Sequence, residues 1–135
     1  MRGRARSRGP QLSGEPHDDM GVGLPRNYLR PCLLLLLAEG TSHGYELLEQ
    51  VASLGLKRAD PGGLYRCLRA MDEDGLVRSV WEPSTSGPAR RTYSLTDEGR
   101  EWLHYVAGSL AEVTRGLTDY RRRYQKLVTQ PEWVR

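Results

Sequence analysis

Residues 87–103 read Gly-Pro-Ala-Arg-Arg-Thr-Tyr-Ser-Leu-Thr-Asp-Glu-Gly-Arg-Glu-Trp-Leu, and they constrain the architecture more than any other segment. A turn with two adjacent arginines leads into a short alternating strand, Thr92 to Leu95. Thr96 then occupies the position of a helix N-cap, and a long amphipathic helix follows it. This order predicts a basic β-hairpin tip, or wing, mounted on a rigid helix. Because such a tip is suited to contact a polyanion, the segment favours DNA binding over catalysis.

Three helices are predicted upstream of the wing. The Leu-rich run favours a buried first helix, Ser42 is a candidate cap for the second, and Asp60 with Pro61 marks the start of the third. The predicted elements are helices at 27–39, 42–55 and 61–74 and strands at 76–82 and 89–95. The expected fold is mainly α with a small β-hairpin, that is, a winged helix-turn-helix over residues 26–96.

The helix after the wing carries an apolar seam. Its members follow one another at alternating steps of three and four residues: Leu103, Val106, Leu110, Val113, Leu117, Tyr120, Tyr124 and Leu127. Spacing that averages 3.5 residues is typical of a coiled coil, so residues 97–128 are predicted to form a C-terminal dimerisation helix, with a tail at 129–135. The alternative is that the seam packs against the first helix of the same chain.

The charge is unevenly distributed. The chain has 20 Lys and Arg against 17 Asp and Glu, and its net charge is +3. Four of the basic residues are Arg2, Arg4, Arg6 and Arg8, so the remainder has 16 basic and 17 acidic residues. We predict that residues 1–25 form a disordered basic arm. This arm is either a solvated tail, a start placed too far upstream, or a source of additional phosphate or minor-groove contacts.

Ten residues are candidates for contact with DNA. The second helix of a helix-turn-helix enters the major groove, where arginine can pair with guanine, and free amides at helix starts hold phosphate. Arg90 and Arg91 point in opposite directions along a strand, so one is expected to reach DNA while the other supports the wing. For Arg66 and Arg69, the alternative is a solvated helix face with ion pairs to Asp72 or Glu73. The candidates are Ser42, His43, Tyr45, Gly62, Gly63, Tyr65, Arg66, Arg69, Arg90 and Arg91.

Other functional classes lack their signals. Cys32 and Cys67 have no paired Cys or His spacing, so we interpret them as reduced core thiols and expect neither a metal nor a cofactor. No nucleophile elbow, phosphate loop or metalloprotease motif is present, and we expect no enzymatic activity. The longest apolar run has seven residues and no signal peptide is visible, which predicts a cytoplasmic, nucleoid-associated protein with no membrane partner.

Trp102 opens the long helix one residue outside the seam. Most tryptophans at such positions are packing residues. If the dimer leaves a central gap, facing Trp102 rings could clamp a flat small-molecule effector.

Five segments together resemble the PadR family of transcriptional regulators. They are Leu-Leu-Leu-Ala-Glu-Gly at 35–40, His-Gly-Tyr-Glu-Leu at 43–47, Pro-Gly-Gly-Leu-Tyr at 61–65, Asp-Gly-Leu-Val at 74–77 and the wing segment at 87–96. The resemblance covers about residues 27–105, and the single helix after the wing is similar to the smaller subfamily. Gly63 and Arg66 depart from the family pattern, which has Thr, Ser or Ala at the first position and often proline at the second.

The resemblance implies a homodimeric repressor that binds a palindromic DNA operator and responds to a small-molecule effector. It also implies that Tyr65 lies in the recognition helix and that residues 43–45 lie beside the DNA backbone. The competing hypothesis is a winged-helix protein-interaction module whose heptad helix recruits a partner and whose wing does not bind DNA. Basic residues on both the third helix and the wing favour the repressor.

Overall fold

Four helices and one β-hairpin form the fold. The computed structural model describes residues 24–83 and 87–134. The elements are α1 (Leu29–Ala38), α2 (Gly44–Gln50), α3 (Pro61–Glu73), β1 (Val77–Glu82), β2 (Arg90–Leu95) and α4 (Asp97–Val128), with short 3-10 turns at Val51–Leu54 and Pro131–Trp133. The prediction of a mainly α winged helix-turn-helix with a long C-terminal helix is confirmed. The predicted arm lies outside the described residues, apart from its last two positions.

The core is built around α1. Its Leu-rich sequence places five side chains in the interior, and the remaining core residues come from the other elements. Burial of each such leucine contributes about 1.5–3 kcal/mol, so this helix anchors the domain. The buried set is Cys32, Leu33, Leu34, Leu36, Leu37, Leu47, Val51, Leu64, Leu68, Met71, Leu76, Val77 and Tyr93.

The hairpin is tied to the start of α2. Its strands pair antiparallel, from Val77 opposite Leu95 to Glu82 opposite Arg90. The Tyr93 amide donates to the Ser42 carbonyl at 2.9 Å, and an isolated bridge joins His43 to Thr92. The predicted cap at Ser42 is therefore wrong: His43 is the N-cap, without a side-chain cap bond, because the residue before it is engaged by the hairpin.

The second helix is shorter than predicted. It ends at Gln50 and continues as a 3-10 turn, which closes at Gly55 with a φ of 104°. Leu47 and Val51 lie one helical turn apart and are buried, whereas Tyr45 lies about 200° around the helix from Leu47. Tyr45 therefore faces the hairpin and is 49% exposed, away from the apolar core face of this helix.

The start of α4 is locked to the segment between α3 and β1. The Thr96 hydroxyl accepts a hydrogen bond from the Gly99 amide at 3.0 Å, which confirms the predicted cap, and donates to the Gly75 carbonyl at 2.6 Å. The Thr96 amide donates to the Leu76 carbonyl at 3.1 Å. Gly99 is buried, and a Cβ on it would overlap the Leu76 carbonyl oxygen. Glycine is required here because two backbones approach closely.

The apolar seam of α4 divides into two parts. Leu103 and Val106 pack against the core, and Leu110 lines a small apolar cleft with α1. The remaining seam residues are exposed: Val113, Leu117, Tyr120, Tyr124 and Leu127. Packing against the chain's own first helix therefore accounts only for the beginning of the seam. In the described ranges, no helix has the length and apolarity needed to cross a membrane.

The contact between Gly99 and Leu76 predicts the effect of an added methyl group. Gly99→Ala should lower the free energy of unfolding by about 1–3 kcal/mol, because the Leu76 backbone must move. Gly108→Ala is the matched control: nothing lies near its Cβ, so the better helix propensity of alanine should add up to about 1 kcal/mol. Urea unfolding at one fixed protein concentration measures both changes. Equal effects of the two substitutions would contradict the close approach.

Candidate nucleic-acid interface

Helix α3 divides into a buried face and an exposed face. Its start at Asp60 and Pro61 is as predicted, and Leu64, Leu68 and Met71 anchor it in the core. The opposite face presents side chains to solvent on successive turns of the helix. These exposed positions are Gly62, Tyr65, Arg66 and Arg69.

The arginines of this face lack acidic partners. Neither Arg66 nor Arg69 has a carboxylate within ion-pair distance in the part of the chain that the structure describes. Asp72, the partner that the alternative proposed, accepts instead from the Ser79 hydroxyl at 3.0 Å. The alternative of a helix face covered by ion pairs is therefore not found among the described residues, and both guanidinium groups remain available.

The tip of α3 is less open than its two glycines suggested. A Cβ on Gly63 would lie 2.8 Å from the Asp60 Oδ1 atom, and one on Gly62 would lie 3.2 Å from the Arg66 Nη1 atom. The glycines thus leave room for a carboxylate and a guanidinium beside the helix start. The carboxylate of Asp60 opposes phosphate binding at this terminus, whereas Arg66 favours it.

Both wing arginines are held by aromatic rings. The Arg90 guanidinium lies 5.6 Å from the Tyr45 ring centre and donates to the Tyr45 hydroxyl at 3.0 Å. The Arg91 guanidinium lies 5.3 Å from the Trp81 ring centre and donates through Nε to Ser79 Oγ at 3.3 Å. Since these partners are neutral, each side chain is positioned while its positive charge stays uncompensated. The fold therefore orients both arginines, not only one.

A cleft brings the wing and the two helices of the helix-turn-helix together. Its volume is about 620 Å³, and it lies among α2, α3 and the hairpin. Six predicted site residues line it: His43, Tyr45, Tyr65, Arg69, Arg90 and Arg91. The other four predicted DNA contacts lie outside its lining: Ser42, Gly62, Gly63 and Arg66.

Four further side chains of the cleft were missed by the sequence reasoning. They are Asp72, Ser79, Trp81 and Tyr93. Trp81 is 63% exposed, so its ring is not part of the core. In the hairpin register Trp81 lies opposite Arg91. Pairing the two predicted strands residue by residue from the turn could have placed Trp81 beside this arginine.

One tyrosine hydroxyl of the cleft has a shifted pKa. Burial raises the pKa of Tyr93, although the nearby Arg91 and Arg69 oppose this shift. The Tyr93 hydroxyl therefore keeps its proton at neutral pH. His43 lies between two carboxylates, with Nδ1 3.4 Å from Glu46 and Nε2 3.8 Å from Glu82.

The cysteines lie away from this surface. Burial raises the pKa of the Cys32 thiol and of the Cys67 thiol, so both stay protonated at neutral pH. This state agrees with their interpretation as reduced core thiols. Within residues 24–83 and 87–134, no group of His, Cys, Asp and Glu side chains is arranged to hold a metal ion.

Sequence comparison identifies the family. Residues 33–105, more than half of the chain, match the model of the transcriptional regulator PadR-like family. The chain belongs to the PadR-like family. Members of this family are transcription regulators and not enzymes. An uncharacterised 37.1 kDa protein of transposon Tn4556 from Streptomyces fradiae is 33% identical over 82 residues, which is 61% of this chain but only 23% of that protein.

Solved structures share the fold. The conserved protein TM0937, a potential transcriptional factor, has a TM-score of 0.68 and 31% identity, over 82% of this chain and 98% of that one. A PadR-like regulator from Bacillus cereus has a TM-score of 0.63 and 26% identity, over 70% and 92% of the two chains. Bacillus subtilis PadR in complex with operator DNA has a TM-score of 0.54 and 22% identity, over 62% and 47%.

Gly44 determines where the Tyr65 ring lies in this PadR-like chain. A Cβ on Gly44 would be 2.5 Å from both Cε1 and the hydroxyl oxygen of Tyr65. Gly44→Ala should therefore lower the free energy of unfolding in the parent chain but not in a Tyr65→Ala background. The expected coupling is about 1 kcal/mol, measured by a double-mutant cycle in urea. If the cost of Gly44→Ala is the same in both backgrounds, the ring does not occupy this position.

Proposed function

We propose that this PadR-like protein is a homodimeric, sequence-specific DNA-binding regulator that represses transcription from a palindromic operator and responds to a small-molecule effector. The observation that supports it most strongly is the gathering of Arg66, Arg69, Arg90 and Arg91 on α3 and the wing, without a described carboxylate partner. Apart from Arg2, Arg4, Arg6 and Arg8 the chain has 16 basic residues, the four arginines of α3 and the wing included, against 17 acidic ones, so local guanidinium groups and not the net charge would supply its attraction to phosphate.

The arginines of α3 and the arginines of the wing have different proposed roles. Arg66 and Arg69 are exposed on the recognition helix, so in this proposal they reach base edges, where an arginine can bind the guanine O6 and N7 atoms together. Arg90 and Arg91 lie at the hairpin and contact the DNA backbone. Ser42, His43 and Tyr45 at the start of α2, Gly62 and Gly63 at the tip of α3, and the Tyr65 hydroxyl complete the proposed contact surface.

The proposed dimer forms through α4. Among the described residues, none covers the seam from Val113 to Leu127, and its spacing matches a facing helix. The proposed interface residues are Leu103, Val106, Leu110, Val113, Leu117, Tyr120, Tyr124 and Leu127. Two recognition helices held by one such stem would read the two halves of a palindromic operator.

An effector contact at Trp102 remains part of the proposal. Trp102 is 48% exposed, and its ring meets Tyr105 edge-on with 5.4 Å between ring centres. This aromatic pair lies near the start of α4, where two stems would come together. A flat ligand held between the two Trp102 rings would change the angle between the stems.

The protein-interaction module is the second candidate function. It is favoured only by the exposed seam, which would recruit a different partner helix in place of a second copy. Such a module has no use for unpaired arginines on both α3 and the wing. DNA binding therefore separates the two proposals.

The arginine roles predict two different losses of DNA affinity. Arg66→Ala should weaken binding to the DNA upstream of the protein's own gene by about 1–3 kcal/mol and relax specificity at one base pair. Arg91→Ala should weaken all DNA sequences alike and reduce the salt slope by about 1. Gel shifts over a salt series, with operator and scrambled duplexes, measure both effects.

Arg100→Ala is the matched control for these variants. Arg100 is exposed on α4 and pairs with Asp97 at 3.0 Å, so its removal should leave DNA affinity unchanged. If the parent protein fails to shift this DNA at low salt while it is dimeric, the interaction module is supported. If Arg66→Ala and Arg91→Ala both weaken binding to all DNA sequences equally, Arg66 does not make the proposed base contact.

The exposed seam predicts the oligomeric state. Leu117→Glu should convert a dimer to a monomer, because it places a charge in the apolar contact between two helices. Ala111→Glu adds the same charge to the outer face of α4 and should leave the dimer intact. Sedimentation velocity across a concentration series distinguishes the species. A monomeric parent protein, or equal effects of both substitutions, would contradict dimerisation through this seam.

A further inference from the structure

The carboxylate of Asp60 stands at the start of α3 without capping this helix. Asp60 is the N-cap residue and is exposed, yet its side chain makes no cap hydrogen bond. Aspartate at this position commonly accepts from a backbone amide of the first turn. No hydrogen bond or ion pair joins the carboxylate to another described residue. Both of its oxygens therefore remain free to accept hydrogen bonds from a partner outside the domain.

Two glycines bring this carboxylate close to the Arg66 guanidinium. A Cβ on Gly63 would lie 2.8 Å from Asp60 Oδ1 and 3.8 Å from Arg66 Nη2. A Cβ on Gly62 would lie 3.2 Å from Arg66 Nη1 and 3.4 Å from Asp60 Oδ2. The two charged groups thus approach the same two points, but the described residues include no ion pair between them. A hydrogen-bond acceptor and a donor fork therefore stand side by side at the tip of α3.

This combination of charges suits DNA bases better than a phosphate. A phosphate would be attracted by Arg66 and repelled by Asp60, both at short range. The major-groove edge of guanine carries two acceptors, O6 and N7, which match an arginine fork, whereas cytosine offers the N4 amino group, from which a carboxylate can accept. Adenine also has an amino group, but its N7 acceptor lies beside it and would repel a carboxylate. The pair of side chains therefore selects guanine and cytosine.

The separation of the two groups indicates neighbouring base pairs. Within one G·C pair the cytosine amino group is hydrogen-bonded to guanine O6, so a carboxylate on the first would lie within ion-pair distance of an arginine on the second. Asp60 and Arg66 are not that close. Stacked pairs are separated by about 3.4 Å along the helix axis, which leaves room for the two contacts side by side.

We infer that Asp60 is a specificity-determining residue, which accepts a hydrogen bond from the N4 amino group of a cytosine in the base pair next to the guanine read by Arg66. The inference rests on the proposed function, because it requires α3 to lie in the major groove. It adds Asp60 to the proposed contact surface and gives that surface a target of stated chemistry. Gly63 is a positioning residue, since its missing Cβ leaves the space beside the carboxylate.

Selection from a library of duplexes with a random core tests this inference with the full chain. The sequences bound by the parent protein should share a guanine and a cytosine in adjacent base pairs. Asp60→Ala should abolish the preference for cytosine and keep the preference for guanine. Asp60→Asn keeps a good N-cap and should shift the preference from cytosine to adenine, because an amide donates to adenine N7 and accepts from its N6 amino group.

Competition binding with the selected duplex measures the size of the effect. Replacement of the cytosine by thymine should weaken binding to the parent by about tenfold or more, but binding to Asp60→Ala by less than about threefold. Asp97→Ala is the matched control, because it removes another exposed carboxylate at the start of a helix. It should leave the discrimination between cytosine and thymine unchanged. Circular dichroism checks that the variants fold.

Gly63→Ala separates base reading from stability. The added methyl group displaces the Asp60 carboxylate, so discrimination between cytosine and thymine should fall in the parent and not change in an Asp60→Ala background. Urea unfolding should show no loss of stability, because alanine has the better helix propensity. A glycine needed only for the fold would give the opposite result, a less stable protein with unchanged base preference.

The outcomes distinguish this inference from the proposed function. Unchanged base preference in Asp60→Ala overturns the cytosine contact and leaves the DNA-binding regulator standing. Loss of the guanine and cytosine preferences together would show that the carboxylate only orients Arg66, and it also overturns the contact. Equal changes in Asp60→Ala and Asp97→Ala would reveal a general charge effect and do the same. A parent protein that binds no duplex at low salt overturns both proposals.

Discussion

The architecture depends on the contact between the first turn of α4 and the backbone that joins α3 to β1. Thr96 binds the Gly75 and Leu76 carbonyls, and Gly99 lies against Leu76 without a Cβ between them. Each of these contacts involves a backbone group of the segment that joins α3 to β1. They therefore hold the end of α3, the base of the wing and the start of α4 against one another.

Local signals made much of this fold predictable. Pro61 after Asp60, Thr96 before an acidic first turn, and Gly75 with a φ of 80° each act within a few residues, so they mark where α3 and α4 begin or end. The errors arose where distant segments meet. Ser42 lost its capping role to a hydrogen bond from Tyr93, 51 positions later in the chain. The Tyr45 hydroxyl accepts a hydrogen bond from Arg90, 45 positions later in the chain. Neither contact has a local signature, and the cleft that they help to form could not be predicted.

The arginines of this protein fall into two groups, those paired with carboxylates and those held by neutral groups. Arg30, Arg100 and Arg122 pair with carboxylates at 3.0, 3.0 and 2.8 Å, and such exposed pairs add little to stability. Arg90 and Arg91 are held instead by neutral rings and hydroxyls. An aromatic partner restricts the side chain without cancelling its charge, so less entropy is lost when an anion arrives. The same arrangement would suit a phosphate in the proposed contact with DNA.

The second half of α4 links this surface to assembly. From Val113 onward its apolar side chains are exposed, and a solitary helix of about 12–15 residues is only marginally stable in water. A facing helix would supply the missing burial, so in the proposed dimer a single equilibrium would govern both the order of this segment and the association of the two chains. Because the first turn of α4 is fixed to the recognition helix, that equilibrium also sets the distance between the two DNA-contacting surfaces. Each monomer would present only one half of the contact surface. The apparent affinity for a two-part operator would then depend on protein concentration as well as on the arginines.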